Sequence, residues 1–121
     1  MTEFGTGVHA FDLNTQAWEP HNLFPAIMVK VLESRASHPR LSLLLVEVVV
    51  GGVIETHTHA VETETALVMA GQGVLVWGDE RHETPVALGG GVTILPGTPH
   101  SLRNAGDVPL QMLAIHSPGI R

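Results

Sequence analysis

Beyond Pro25 the chain is cut into short apolar runs by glycine, proline and aspartate, and no stretch keeps a helical period. "AIMVKVLES" alternates around Lys30 and reads as a strand. "RLSLLLVEVVV" is apolar at consecutive positions and rich in β-branched residues, which fits a strand buried on both faces. A helix competes for that run, but "VEVVVGG" is a poor helix sequence. Then come "ETALVMA", a "GQG" turn, "VLVWG", a polar turn region "DERHE" and "TPVAL". After "GGG" follow "VTILP", "GTP", "HSLRN", "AGDVP" and "LQMLAIH". Six or seven short strands spaced by such turns predict an all-β sandwich or barrel. Residues 1–25 lack periodicity and contain two prolines, so they read as an N-terminal arm with one or two short strands. Residues 26–121 are then one β domain, as a chain of 121 residues allows.

Composition narrows the partners. Hydrophobic residues make up 44%, enough to bury a core. The net charge of −6, with no basic run, argues against nucleic acid and anionic membrane. Charged residues are few, at 15%, which predicts that part of the surface is covered by a partner chain. Cysteine is absent, so disulfides, thiolate catalysis and Cys-ligated metal are excluded. The start "MTEFGTGVHAF" lacks the pattern of a signal peptide. The longest apolar stretch is interrupted by Glu47 and closed by paired glycines, too short to span a bilayer. A cytoplasmic enzyme or binding protein is expected. "GTGVHA" and "GQGVLV" fail the dinucleotide fingerprint and "GGGVTI" precedes no helix, so all three read as turns.

One polar stretch stands apart, "IETHTHAVETET", from Ile54 to Thr65. Residues two apart on a strand share a face, so His57 and His59 project together and can chelate one ion. Glu62 and Glu64 follow a turn at Ala60–Val61, and either can swing back as an oxygen ligand. Alone, such a stretch is more often a solvated strand end than a metal site. Downstream, Pro96–Gly97–Thr98–Pro99 forces a rigid turn that holds His100 at the start of the next strand. His100 completes a set of three nitrogens and one oxygen.

The spacing resembles the cupin superfamily. Its first motif matches Gly51, His57, His59, Glu64 and Gly71, and its second matches Gly89, Gly97, His100 and Asn104. The one departure is Leu95, where the motif has proline and this chain has it one place later. The resemblance implies a double-stranded β-helix, a jelly-roll barrel, with a metal held inside by His57, His59, Glu64 and His100. It places Glu64, not Glu62, at the ligand position and puts Glu62 at the turn or rim. It also implies a homodimer, often with exchanged arms, to which the doubly apolar strand from Leu41 to Val50 is suited.

Such a site suits one divalent Mn, Fe, Co, Ni, Cu or Zn ion per chain, with positions left for a small-molecule substrate. Alternation from Glu64 makes Ala66, Val68 and Ala70 candidate pocket liners, with Trp77 and Met112 as further candidates. His82 reads as solvated, His9, His21 and His38 as arm or loop residues, and His116 as a packed structural histidine. The expected function is a small metal-dependent enzyme acting on a compact oxygen-bearing molecule. Its chemistry is either dioxygenase-type cleavage or isomerase, cyclase or lyase chemistry with Glu64 as candidate acid or base. The alternative is a non-catalytic module that binds or senses a small molecule.

Overall fold

The computed structural model describes residues 7–121. The first six residues of the expected arm lie outside that range. Among the described residues there are ten strands and no helix, so none is long and apolar enough to cross a membrane. The strands are β1 (Glu19–Pro20), β2 (Ile27–Glu33), β3 (Ser42–Val48), β4 (Val53–His57) and β5 (Thr63–Ala70). They continue with β6 (Gln72–Trp77), β7 (His82–Ala87), β8 (Gly91–Ile94), β9 (His100–Asn104) and β10 (Leu110–Ser117). Two antiparallel sheets result, a six-stranded one ordered β1-β2-β3-β10-β5-β8 and a four-stranded one ordered β4-β9-β6-β7. The all-β expectation holds, and the two sheets form a jelly-roll barrel.

The core lies between the sheets. Ile27, Val29, Val48, Val68, Leu110 and Met112 face inward from the larger sheet, and Leu75, Val86 and Leu102 meet them from the smaller one. Burying one such side chain fully contributes about 1.5–3 kcal/mol. β3 is central in its sheet, with β2 on one edge and β10 on the other. Its Ser42, Leu44, Leu45 and Val48 are buried, whereas Val49 and Val50 run past the sheet and are exposed. The two-sided burial read from the sequence therefore applies to the strand and stops short of its last two valines.

The arm is tied to the larger sheet. β1 pairs with β2, and Lys30 of β2 donates to the Leu13 carbonyl at 2.7 Å and sits 5.0 Å over the Trp18 ring. His9 is buried and hydrogen-bonded to Glu33, a long-range contact that no periodicity signals.

Local sequence sets the corners. β5 and β6 are separated by Gly71 alone, and there the chain leaves one sheet for the other. Gly71 has φ +79°, and a Cβ on it would lie 2.7 Å from the Pro109 carbonyl oxygen, so only glycine fits the corner. The polar turn is shorter than "DERHE" suggests: it spans Gly78 to Arg81, and His82 and Glu83 already belong to β7, paired with Trp77 and Val76.

Asn104 shows what the end of the second motif is for. It is buried, and its Nδ2 donates to the carbonyls of Val48, Val49 and Val108 at 3.1, 3.3 and 2.8 Å. Its Oδ1 accepts from the Gly106 amide at 2.9 Å. One side chain thus fastens the end of β9 to the β3–β4 turn and to the approach to β10.

Candidate metal centre

The site forms at one end of the barrel, where the two sheets bring their motif residues together. His57 ends β4 and His100 begins β9, and the two are cross-strand partners with ring centroids 4.2 Å apart. Glu64 comes from β5 in the other sheet. His59 lies beyond the end of β4, in the loop, so the shared face expected from strand alternation is achieved differently. The register of β4 on β9 is broken between Ile54 and His57, and the chain bends at Ala60–Val61. The His59 carbonyl accepts from the Gly97 amide at 2.8 Å, which ties the His59 loop to the Pro-Gly turn before His100. Gly97 supplies the φ of +79° that this turn requires.

One ligand atom from each of His57, His59, Glu64 and His100 lies within 4.8 Å of the others. The Oε1 of Glu64 is the hub, 3.5 Å from His59 Nε2 and 3.3 Å from His100 Nε2. The Nδ1–H of His57 donates to the Glu55 carbonyl at 2.8 Å, and that of His100 to the Thr98 carbonyl at 2.9 Å. These bonds fix each ring and leave Nε2 facing the cluster, the arrangement that metal-binding histidines need. His100 Nε2 is buried and close to Glu64, yet lacks the alignment of a hydrogen bond. A divalent cation among these atoms satisfies that buried nitrogen and the carboxylate together, so the residues fit the ion the fold implies.

The electrostatics point the same way. Burial opposes ionisation of Glu64, but His100, His116 and His59 around it outweigh burial and hold its carboxyl well below the usual range. Burial lowers His57, aided by neighbouring His100 and His59, so His57 stands neutral at pH 7. His100 is raised: burial works against its charged form, but Glu64 and the Thr98 carbonyl prevail.

His116, read from the sequence as a packed structural histidine, is indeed packed, and it packs against the cluster. It is 4% exposed, and its Nε2 lies 3.4 Å from Glu64 Oε1, its cross-strand partner. Its ring also meets that of His59 at 5.0 Å. A signal existed: Leu110, Met112, Ala114 and His116 alternate on the inward face of β10, the same face as the cluster.

A cavity of about 400 Å³ opens from the cluster into the barrel, with apolar walls that include Val29, Val46, Leu75, Ile94 and Leu102. Of the expected liners, Ala66 and Met112 are on its wall. Val68 and Ala70 are not, because each step along β5 carries the chain away from Glu64, Val68 into the packed core and Ala70 to the strand end. Trp77 lies outside it, half-exposed, its ring tilted against His82 at 4.7 Å and its Nε1–H donating to Thr84 Oγ1. Glu62 stays out of the cluster, past the bend at Ala60–Val61 and immediately before β5. His82 is exposed, as expected. His21, Phe24, Ile120 and Arg121 complete the cavity wall. They reach it from the arm and from the end of the chain, which no local pattern announces.

Fold and site together define a double-stranded β-helix barrel with a histidine–carboxylate cluster inside. Residues 44–116 match the cupin domain family, and the chain belongs to it. It is 34% identical over 69 residues to "Uncharacterized protein MJ1618" of Methanocaldococcus jannaschii, an alignment that covers 57% of this chain. That alignment spans about half (54%) of the relative's length. Among solved structures, a predicted oxalate decarboxylase from Thermotoga maritima superposes with a TM-score of 0.81 at 20% identity, covering 91% of this chain and 99% of that one. A structure described as FeII HppE superposes with a TM-score of 0.75 at 19% identity, covering 91% of this chain and 60% of that one. Likeness at such identity establishes the fold.

Proposed function

We propose that this chain is a small metal-dependent enzyme holding one divalent transition ion through His57, His59, Glu64 and His100. The observation that carries this reading is the pair of Nδ1–carbonyl hydrogen bonds that aim the Nε2 atoms of His57 and His100 at a cluster centred on ionised Glu64. Three imidazoles and one carboxylate suit Mn, Fe, Co, Ni, Cu or Zn. When bound, such an ion supplies Lewis acidity toward an oxygen donor and, if redox-active, a route for dioxygen.

The chain's own residues do the rest. The apolar walls exclude water from a small organic molecule and orient it toward the cluster. Glu64 balances charge, and His116, beside it on the same cavity, is placed to take or return a proton at Nε2. The neighbours include one described as a predicted oxalate decarboxylase and one described as FeII HppE, which fit lyase and oxygen chemistry respectively. Oxygen uptake by protein loaded with Fe or Mn separates the two: consumption with substrate supports oxidative cleavage, and turnover without consumption supports isomerase or lyase chemistry.

The chain is further proposed to be a cytoplasmic homodimer. The outward face of β5 and β10 carries exposed Leu67, Met69 and Ile115, an apolar patch suited to a second copy. Sedimentation at micromolar concentration is expected to give the dimer mass, and a monomer there contradicts it.

A further inference from the structure

The cavity wall carries a cation that the cluster does not use. Arg121 lines the same cavity as His57 and Glu64 and is only 22% exposed. One arm of its guanidinium, Nη1, lies 3.6 Å from Glu19 Oε1. The other, Nη2, is out of solvent and has no hydrogen-bond partner among the described residues. A guanidinium nitrogen held this way is costly to leave unpaired. The backbone around it is anchored: the Gly119 amide donates to the Pro39 carbonyl at 3.1 Å, and the Ile120 amide to Ser42 Oγ at 3.2 Å. The Arg121 carbonyl accepts from the Arg35 amide. The fold thus fixes the backbone that carries the guanidinium, and Glu19 holds one of its arms.

His21 stands on the same wall with a defined tautomer. Its Nδ1 accepts from the amides of Leu23 and Phe24 at 3.0 and 3.3 Å, so its proton is on Nε2, a donor. Its ring packs on Phe24 at 4.8 Å, and Phe24 packs on His57 at 5.5 Å, which joins this corner to the cluster. The corner thus offers a guanidinium and an N–H donor beside apolar walls, in a protein whose net charge is −6. Guanidinium with a second donor is the chemistry that grips carboxylate and phosphate.

We propose that Arg121, with the Nε2–H of His21, is an oxyanion-binding site for the carboxylate or phosphate end of a small organic ligand whose other oxygen atoms face the His57–His59–Glu64–His100 cluster. The proposal rests on the metal-centre reading for the far end of the ligand, and it names the substrate class: compact organic anions with an oxo or hydroxyl group.

The test uses Co(II)-loaded full-length protein and calorimetry with matched pairs of ligands. One pair is 2-oxoadipate against 2-oxohexanoate, equal in length and differing in the distal carboxylate. The other is glycerol 3-phosphate against glycerol. The charged member of at least one pair should bind about tenfold tighter or more, and whichever pair discriminates tells carboxylate from phosphate. R121Q should bring that member down to the level of its partner while Co(II) affinity stays within about twofold. E19Q, which frees the second arm, should tighten the charged ligand. No preference in either pair, a preference that survives in R121Q, or weaker binding in E19Q overturns the proposal. If Co(II) itself does not bind, the metal reading fails separately. The same ligands on metal-free wild type and R121Q then decide the anion site by the same criterion.

Discussion

Glu64 is surrounded on one oxygen by the Nε2 atoms of His59, His100 and His116 at 3.3–3.5 Å. Two of those histidines were legible in the sequence because their spacing to glycines and prolines is a motif. His116 was not, although its alternation on β10 marked it as inward, because an inward position at a strand end does not by itself say which side chains it meets. With an ion bound, His116 Nε2, 3.4 Å from Oε1, would hold the Glu64 carboxylate in orientation. H116A is therefore expected to weaken Co(II) binding by about tenfold, in the range for groups that support a ligand, measured by competition with a chromophoric chelator. Unchanged affinity would mean that Glu64 needs no such support. The pH dependence follows from the same residues. Glu64 keeps its charge through acid, so the protons that compete with the ion go to the histidines. His100 is raised above 6.5, so the ion still displaces a proton from it at and somewhat above that pH. Affinity should climb as pH rises through this region and collapse below about pH 6. Equilibrium dialysis at stepped pH checks this, and metal retained at pH 4 would contradict a histidine-dominated site.

Strand positions were readable because glycine and proline bound nearly every one. "HSLRN" is β9 residue for residue, and "LQMLAIH" falls within β10. The misreadings lie where polar residues join a strand, as His82 and Glu83 join β7, or where a ligand leaves one, as His59 does beyond β4. In both cases pairing with a neighbouring strand decided the boundary, and pairing is not local information. Asn104 belongs here too. The motif asks for an asparagine because four backbone groups from two segments converge on it. N104A should cost about 2–3 kcal/mol, since buried carbonyls lose their donor. Urea unfolding measures the loss. A change below about 0.5 kcal/mol would put the fastening elsewhere.

For the molecule as a whole, the barrel and the cluster were foreseeable because the two motifs lie on strands that pair with each other, β4 with β9 and β5 with β8. The cavity corner built by His21 and Arg121 was not, since it joins residues a hundred positions apart in sequence through the arm and the chain end. What a small cavity with apolar walls and a histidine–carboxylate cluster does depends first on whether it holds an ion. The deciding measurement is metal content of protein purified without chelator, wild type beside the double variant H57A/H100A. Wild type should carry about one divalent ion per chain and the double variant essentially none, with the variant still folded by circular dichroism. Wild-type protein that stays metal-free when offered Mn, Fe, Co, Ni, Cu and Zn, or a double variant that binds as tightly as wild type, would contradict the metal centre.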